Sequence, residues 1–236
     1  SRDRLRRQFR HSTFLIEKLR PKVEELQIVL FGGGGGAVEI TRYIRAMNDD
    51  ASTPVRAVVS DMIDEGVGRI DDLQRVAGRP VKIHADSSTV LNLHQKQFVI
   101  TLGHLPLREQ KFEMLKAAGL KAFTVIHPTA LVSETASIGD GCVIAPFSMV
   151  GEFATLGENV NLNVRVTIGH DVSIGRSSIL SPHVSVAGGT QCEHSVYMGS
   201  GVIINPGLEI GQFVKLSSGA LVTKNVPAGS FAFGNP

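Results

Sequence analysis

His170 and Asp171 stand side by side in the chain. An imidazole next to a carboxylate has the parts of a general base. The ring takes up a proton, and the carboxylate favours the imidazolium that forms. Spacing alone also allows a plain surface histidine beside a charge, and it leaves His183 and His194 open as well. A second stretch is suited to phosphate. The apolar run Gln27–Phe31 leads into five glycines, Gly32 to Gly36, and then into Ala37–Met47, whose spacing is helical. A strand, a glycine loop and a helix bring backbone amides and a helix N-terminus up to an anion. Asp61 closes the next apolar run, Val55–Ser60, and stands 25 residues beyond Gly36. A carboxylate there reaches a ribose hydroxyl or a base edge. The plainer alternative is that the glycines only make a tight turn.

The histidine must be positioned by a repeat. Starting at Ile126, every sixth residue through Val222 is apolar, in 17 hexads out of 17. The fifth position is small or β-branched throughout, with Leu208 as its one large member. Glycine holds the second position in seven hexads: Gly139, Gly151, Gly157, Gly169, Gly175, Gly199 and Gly211. A helix repeats near 3.6 and cannot hold a period of six, so the pattern indicates a β-solenoid. Three hexads make a triangular coil of about 18 residues. First and fifth positions point inward. Small polar or glycine residues are expected at the tight corners, where a positive φ costs glycine little. This phase places Glu152, His170, Gly188 and Pro206 in one outward column and turns Cys142 and Cys192 inward. Gly188-Gly189 and the small residues Ser217 to Ala220 leave open backbone for an elongated ligand along the solenoid.

The whole chain reads as α/β plus all-β in three parts. Residues 1–26 form a basic amphipathic segment or linker, with a membrane-surface patch as the sharper possibility. Residues 27–125 alternate strand and helix, with strands at 55–60, 97–101 and 122–126 and a helix at 106–118. That order implies a small, Rossmann-like parallel α/β domain. It has room for about one mononucleotide half, which favours a mononucleotide-type ligand over NAD. Residues 126–236 are the solenoid. The chain has 236 residues, 42% hydrophobic and 19% charged, with a net charge of +2. That balance indicates a soluble globular chain without special affinity for nucleic acid. No apolar run is long enough to span a bilayer. Two inward cysteines point to reduced thiols and a cytoplasmic setting. No metal-ligand spacing stands out. The chain lacks an initiating Met and stops at Gly234-Asn235-Pro236, so a piece of a longer protein is expected.

Residues 27–236 resemble the PglD-like (NeuD-like) sugar acetyltransferases of the hexapeptide-repeat superfamily. The resemblance is carried by the loop Phe31–Val38, Asp61, Gly103 with Arg108, and the run from Ile168 through His170 and Asp171 to Gly175. Val186-Ala187-Gly188, Gly219 to Asn225 and Phe233 to Pro236 complete it. It implies a left-handed β-helix behind the α/β domain, with His170 as general base and Asp171 raising its basicity. It implies acetyl-CoA as co-substrate near Ile179, Gly188, Ser200 and Ser218. A UDP-amino sugar is implied at Gly34, Gly35, Gly36, Asp61, Gly103 and Arg108. It also implies a homotrimer with active sites between subunits. Gly36 stands where the family commonly has His, and Met62 where a second acidic residue is often found. Some relatives are fused behind a membrane-associated phosphosugar transferase, as in PglB-type proteins of bacillosamine synthesis. The basic N-terminus fits a linker from such a domain, at the inner face of the membrane.

The expected reaction is direct acetyl transfer to the amine of a UDP-linked 4-amino-4,6-dideoxy sugar. Neither cysteine is placed to carry an acyl group. The competing readings are O-acetylation of a sialic acid or other glycan hydroxyl, a non-catalytic nucleotide-sugar-binding scaffold, and an NAD-dependent oxidoreductase. The last gives the solenoid no role.

Overall fold

The computed structural model describes residues 25–50, 56–63, 69–85 and 95–234. The basic segment at 1–24 and the terminal Asn235-Pro236 lie outside the described residues.

The α/β part holds five parallel strands: β1 (Glu25–Phe31), β2 (Arg56–Ile63), β3 (Lys82–His84), β4 (Gln97–Ile100) and β5 (Lys121–Ala122). Their order in the sheet is β3-β2-β1-β4-β5. The chain order reverses between β1 and β4, and in such sheets the ligand crevice opens beyond the strand ends at that point. Helices α1 (Gly35–Asp49) and α2 (Ile70–Ala77) cover one face. Helix α3 (Leu105–Ala117) covers Val29, Phe31, Phe98 and Ile100 on the other. Pro106 in its first turn and Gly119 at φ 80 after its end are an ordinary start and stop for a helix.

Two expectations shift here. β2 runs on to Ile63, so Asp61 lies within the strand and not past its end. The stretch 122–126 is not one strand. Lys121–Ala122 pairs with β4, whereas Val125–Ile126 is β6 and pairs with Val143–Ile144 of the solenoid. The chain changes sheet between them.

From β6 onward each hexad is one two-residue strand, ending with β22 (Leu221–Val222), and β23 (Phe231–Ala232) follows. Partners are 18 apart through β22, as in Met149↔Thr167, and 16 apart where β23 joins the sheet, as in Lys215↔Phe231. The strands stack into three parallel sheets of six, five and seven strands, the faces of a triangular parallel β-helix. First and fifth positions form one continuous core from Cys142 to Val226. Each fully buried aliphatic in it contributes about 1.5–3 kcal/mol. The polar fifth positions are satisfied within the core: Ser148 Oγ donates to Asn163 O, and Thr190 Oγ1 to Asn205 O.

The corners work differently from the expectation. No second-position glycine has a positive φ. The fourth position does: from Gly141 to Gly219 every one lies between 56° and 74°. Nine of these are not glycine, among them Phe147, Phe153 and Asp171. The second-position glycines are required by close approach instead. A Cβ at Gly175 would come within 2.5 Å of Glu193 backbone, and one at Gly211 within 2.4 Å of Ala228 N. The next coil's main chain fills that space.

The two parts pack against each other along the solenoid. Ile40, Tyr43 and Ile44 of α1 share a core with Val125, Val143 and Ala145. Helix α3 runs beside the corner between the five- and seven-stranded sheets. Lys116 pairs there with Glu158 at 2.7 Å, and Glu109 takes Arg176 at 3.2 Å and Ser195 at 2.8 Å.

Candidate active site

His170 follows β13 (Thr167–Ile168), on the corner between the six- and five-stranded sheets. Main-chain bonds lock that corner to the coils on either side: Asp171 N donates to Glu152 O, and Gly189 N donates to His170 O, both at 2.9 Å. Asp171 has φ 56, a left-handed conformation that aspartate tolerates better than most residues. The result turns its carboxylate back onto its neighbour. His170 Nδ1 meets Asp171 Oδ2 at 2.7 Å. With Nδ1 donating to the carboxylate, Nε2 carries the free lone pair. That nitrogen hangs over Gly188, where a Cβ would lie only 2.5 Å away. The imidazole therefore occupies the space that Gly188 leaves, and it remains 71% exposed.

Glu152, in the same column, is turned the other way. Ser133 and Thr135 on the preceding coil hydrogen-bond its carboxylate and hold its pKa below the usual range. It is not a second acid at His170. His194 sits under α3, edge-on to Phe213 at 5.0 Å and 3.2 Å from Ser195 Oγ. His183 is exposed on the opposite corner of the six-stranded sheet. Both cysteines are buried, and burial pushes each thiol up to about 12. Neither is a nucleophile at neutral pH.

The residues expected at the acetyl donor do not gather on one edge. Gly188 stands with His170. Ser200 and Ser218 are exposed on the other corner of the same six-stranded sheet, and Ile179, behind that corner, is buried at 7%. Between the two corners the sheet face shows Leu131, Met149 and Ile203, with Phe147 and Phe153 at its edges, all exposed. An open groove of about 670 Å³ lies on the neighbouring five-stranded face, lined by Gln191, Glu193, Glu209 and Asn225 among others. It touches the histidine corner through Gln191, whose amide donates to Asp171 O and Gly189 O.

In the α/β part the glycine loop sits at the switch point. Gly32, at φ 110, packs against Thr101 and Leu102, and Thr101 Oγ1 donates to Phe31 O and Gly32 O. Space is open above Gly34, Gly35 and Gly103, where an added Cβ would meet nothing within 4 Å. Gly34 caps α1 without a side chain, and the first turn carries no acidic residue. The positive end of that helix faces open space, a ready position for an anion. A Cβ at Gly36 would lie 3.1 Å from Thr101 O, so this loop is built tightly around glycine.

Two expected substrate residues are placed elsewhere. Asp61 is 2% exposed, and both of its oxygens are taken: His84 Nε2 holds Oδ1 at 2.9 Å, and Ser60 and Lys96 hold Oδ2. Burial alone would raise its pKa, but those hydrogen bonds together lower it. The first carboxylate in sequence past the end of β2 is Asp64, outside the described residues. Arg108 is fully buried, and its guanidinium is bound by main-chain carbonyls. Nη1 donates to Ile100 O at 2.7 Å, and Nε and Nη2 donate to Asn159 O at 3.2 and 3.0 Å. It joins β4 to the solenoid and presents nothing to a ligand. Burial lowers its pKa to about 10, so it stays charged at neutral pH. His84 comes from β3, which the sequence analysis does not include, and Lys96 directly precedes β4, where only the fold brings it to Asp61. Ile70, Leu73 and Ala77 at helical spacing, followed by Val81 and Ile83, were the available signal for α2 and β3. No cluster of three or more metal-ligating side chains occurs among the described residues, and no helix among them is long and apolar enough to cross a membrane.

No protein-family profile matches the chain, and no curated protein matches it by sequence. Solved structures do. PerB from Caulobacter crescentus, determined in complex with CoA and GDP-perosamine, aligns with a TM-score of 0.77 at 23% identity over 88% of this chain and 94% of its own. The acetyltransferase domain of PglB from Neisseria gonorrhoeae aligns at 0.75 with 24% identity, over 89% of this chain and 97% of that one. WeeI from Acinetobacter baumannii aligns at 0.74 with 23% identity, over 90% and 98%. Over those aligned lengths the chain has the fold of these proteins: a small parallel α/β domain on a left-handed parallel β-helix.

Proposed function

We propose that the protein is an acetyl-CoA-dependent N-acetyltransferase acting on a nucleotide-linked amino sugar, with a UDP-linked 4-amino-4,6-dideoxy sugar as the acceptor. The observation that carries this reading is the pair His170 Nδ1···Asp171 Oδ2 at 2.7 Å, with Nε2 free over Gly188. The sugar amine attacks the thioester carbonyl. Nε2 of His170 takes the proton from the nitrogen and returns it to the departing CoA sulfur, so donor and acceptor leave as thiol and amide. Asp171 holds the tautomer and favours the imidazolium between those two transfers. Thiols held near pKa 12 are unsuited to a covalent acetyl-enzyme, which supports direct transfer. The α/β crevice suits the acceptor: open glycines and the free N-terminus of α1 match a diphosphate. PerB, with the same fold, was determined with CoA and GDP-perosamine, which supports the reaction class and makes guanine the natural alternative base to test.

The assembly belongs to the same proposal. His170 and Gly188 lie on one edge of the six-stranded face, and Ser200 and Ser218 on the other. A three-fold axis parallel to the solenoid lays one edge against the opposite edge of the next copy and preserves axial height. That brings the base of one subunit to the donor residues of its neighbour and covers the exposed apolar face. The test is thiol release from acetyl-CoA with UDP- and GDP-linked amino sugars and their hydroxyl counterparts. Release with an amino sugar, matched by N-acetylated product, supports the proposal. Release with hydroxyl acceptors alone contradicts it.

A further inference from the structure

We propose that Phe231, Phe233 and Lys215 seat the adenosine 3′,5′-bisphosphate end of coenzyme A, an inference that rests on the acetyl-donor reading above. β23 is the last strand of the seven-stranded sheet, with Lys215↔Phe231 and Leu216↔Ala232 in register with β21 (Lys215–Leu216). The pairing continues past the strand: Ser217 N donates to Ala232 O, and Leu221 N to Gly234 O. Phe233 therefore stands one coil beyond Ser217, next to the column of Ser200 and Ser218. Phe231 stands over Lys215 and Phe233 over Ser217, one position from that column.

Its chemistry is unlike its surroundings. Phe231 and Phe233 are 64% and 69% exposed, and their ring centroids lie 5.9 Å apart at a tilt of 36°. Below Phe231 in the same outward row is Lys215, exposed and without an ion pair among the described residues, and below that is Tyr197. Two open aromatic faces beside a free ammonium match an aromatic base carrying phosphate. They match an apolar partner surface less well, because the row turns cationic within one coil. Height agrees too. Coils are spaced by about 4.8 Å, and β23 lies between three and four coils above that of His170. This is a rise of roughly 15–20 Å, within reach of an extended pantetheine diphosphate arm. Ser200 and Ser218 lie along that path.

The test compares three donors, acetyl-CoA, acetyl-3′-dephospho-CoA and acetyl-pantetheine. In Phe233→Ala, the kcat/KM preference for acetyl-CoA over acetyl-pantetheine should fall about tenfold, through KM and not kcat. Phe233→Tyr should retain it. Lys215→Ala should erase the preference for acetyl-CoA over the dephospho donor. Unaltered preferences in both alanine variants overturn the proposal, as does a change confined to sedimentation mass, which would make the patch a subunit contact. Binding of adenosine 3′,5′-bisphosphate by calorimetry reads the seat without any acetyl transfer. Binding to the wild type that Lys215→Ala weakens supports it, and no binding to the wild type overturns it. Absence of transfer from every donor would instead count against the acetyltransferase reading.

Discussion

A methyl group at Gly188 would stand 2.5 Å from Nε2 of His170. The obstacle is the far end of an exposed side chain, so the backbone need not move but the imidazole must. Gly188→Ala is therefore expected to leave the melting temperature nearly unchanged while lowering kcat by about a hundredfold, as misplacement of a catalytic group does. Equal losses of stability and activity would show that the glycine serves packing alone. The buried thiols give a second prediction. With each pKa pushed to about 12 by burial, Cys142 and Cys192 should resist iodoacetamide at neutral pH and react only on unfolding, as read by mass spectrometry. Asp61 gives a third. Its folded pKa lies below the unfolded 3.8, so its share of stability is present above that value and is lost as pH falls through the lower folded one. Urea midpoints should drop as pH falls through and below 3.8, and less in Asp61→Asn. Adjacency made the His170–Asp171 pair legible in the sequence. The surroundings of Asp61 were not, because His84 and Lys96 reach it from elements far along the chain.

The hexad period was read in full because it is a strictly local pattern, and each of its first positions became the inward residue of one strand. The pattern did not say why glycine recurs. Glycine at a corner suggests a positive φ, yet here the left-handed residue is the fourth one and the glycine makes room for the next coil. Only stacking, which sequence does not display, separates the two reasons. The distinction predicts opposite outcomes. Gly175→Ala drives a Cβ to within 2.5 Å of backbone and should cost about 1–3 kcal/mol, as overpacking does. Phe213→Gly, on the corner away from the six-stranded face, relieves a left-handed phenylalanine at φ 57 whose ring is 48% exposed. It should be neutral or stabilising by up to about 1 kcal/mol. Denaturant melts of the two variants decide between the accounts. The division at 122–126 is hidden for a related reason: a short stretch of strand-forming residues does not reveal that its halves join different sheets.

On the scale of the whole molecule, the α/β part is held to the solenoid by α1, α3 and one buried guanidinium. Arg108→Leu would leave Ile100 O and Asn159 O without their donor. It should cost about 1–3 kcal/mol, as leaving buried carbonyls unpaired does. The exposed six-stranded face should prove to be a subunit contact. Met149→Glu is then expected to turn a trimer into monomers in sedimentation and to abolish turnover, although Met149 lies outside the His170–Gly188 corner. A fully active monomer would remove the shared-site arrangement. In the proposed reaction His170 is the base of an acetyl transfer. The direct measurement is initial-rate thiol release from acetyl-CoA with a UDP-linked 4-amino sugar, comparing wild type with His170→Asn at saturating substrates. A fall in kcat of about 10²–10⁴ is expected, with nucleotide-sugar binding retained. A variant that turns over at the wild-type rate would contradict it.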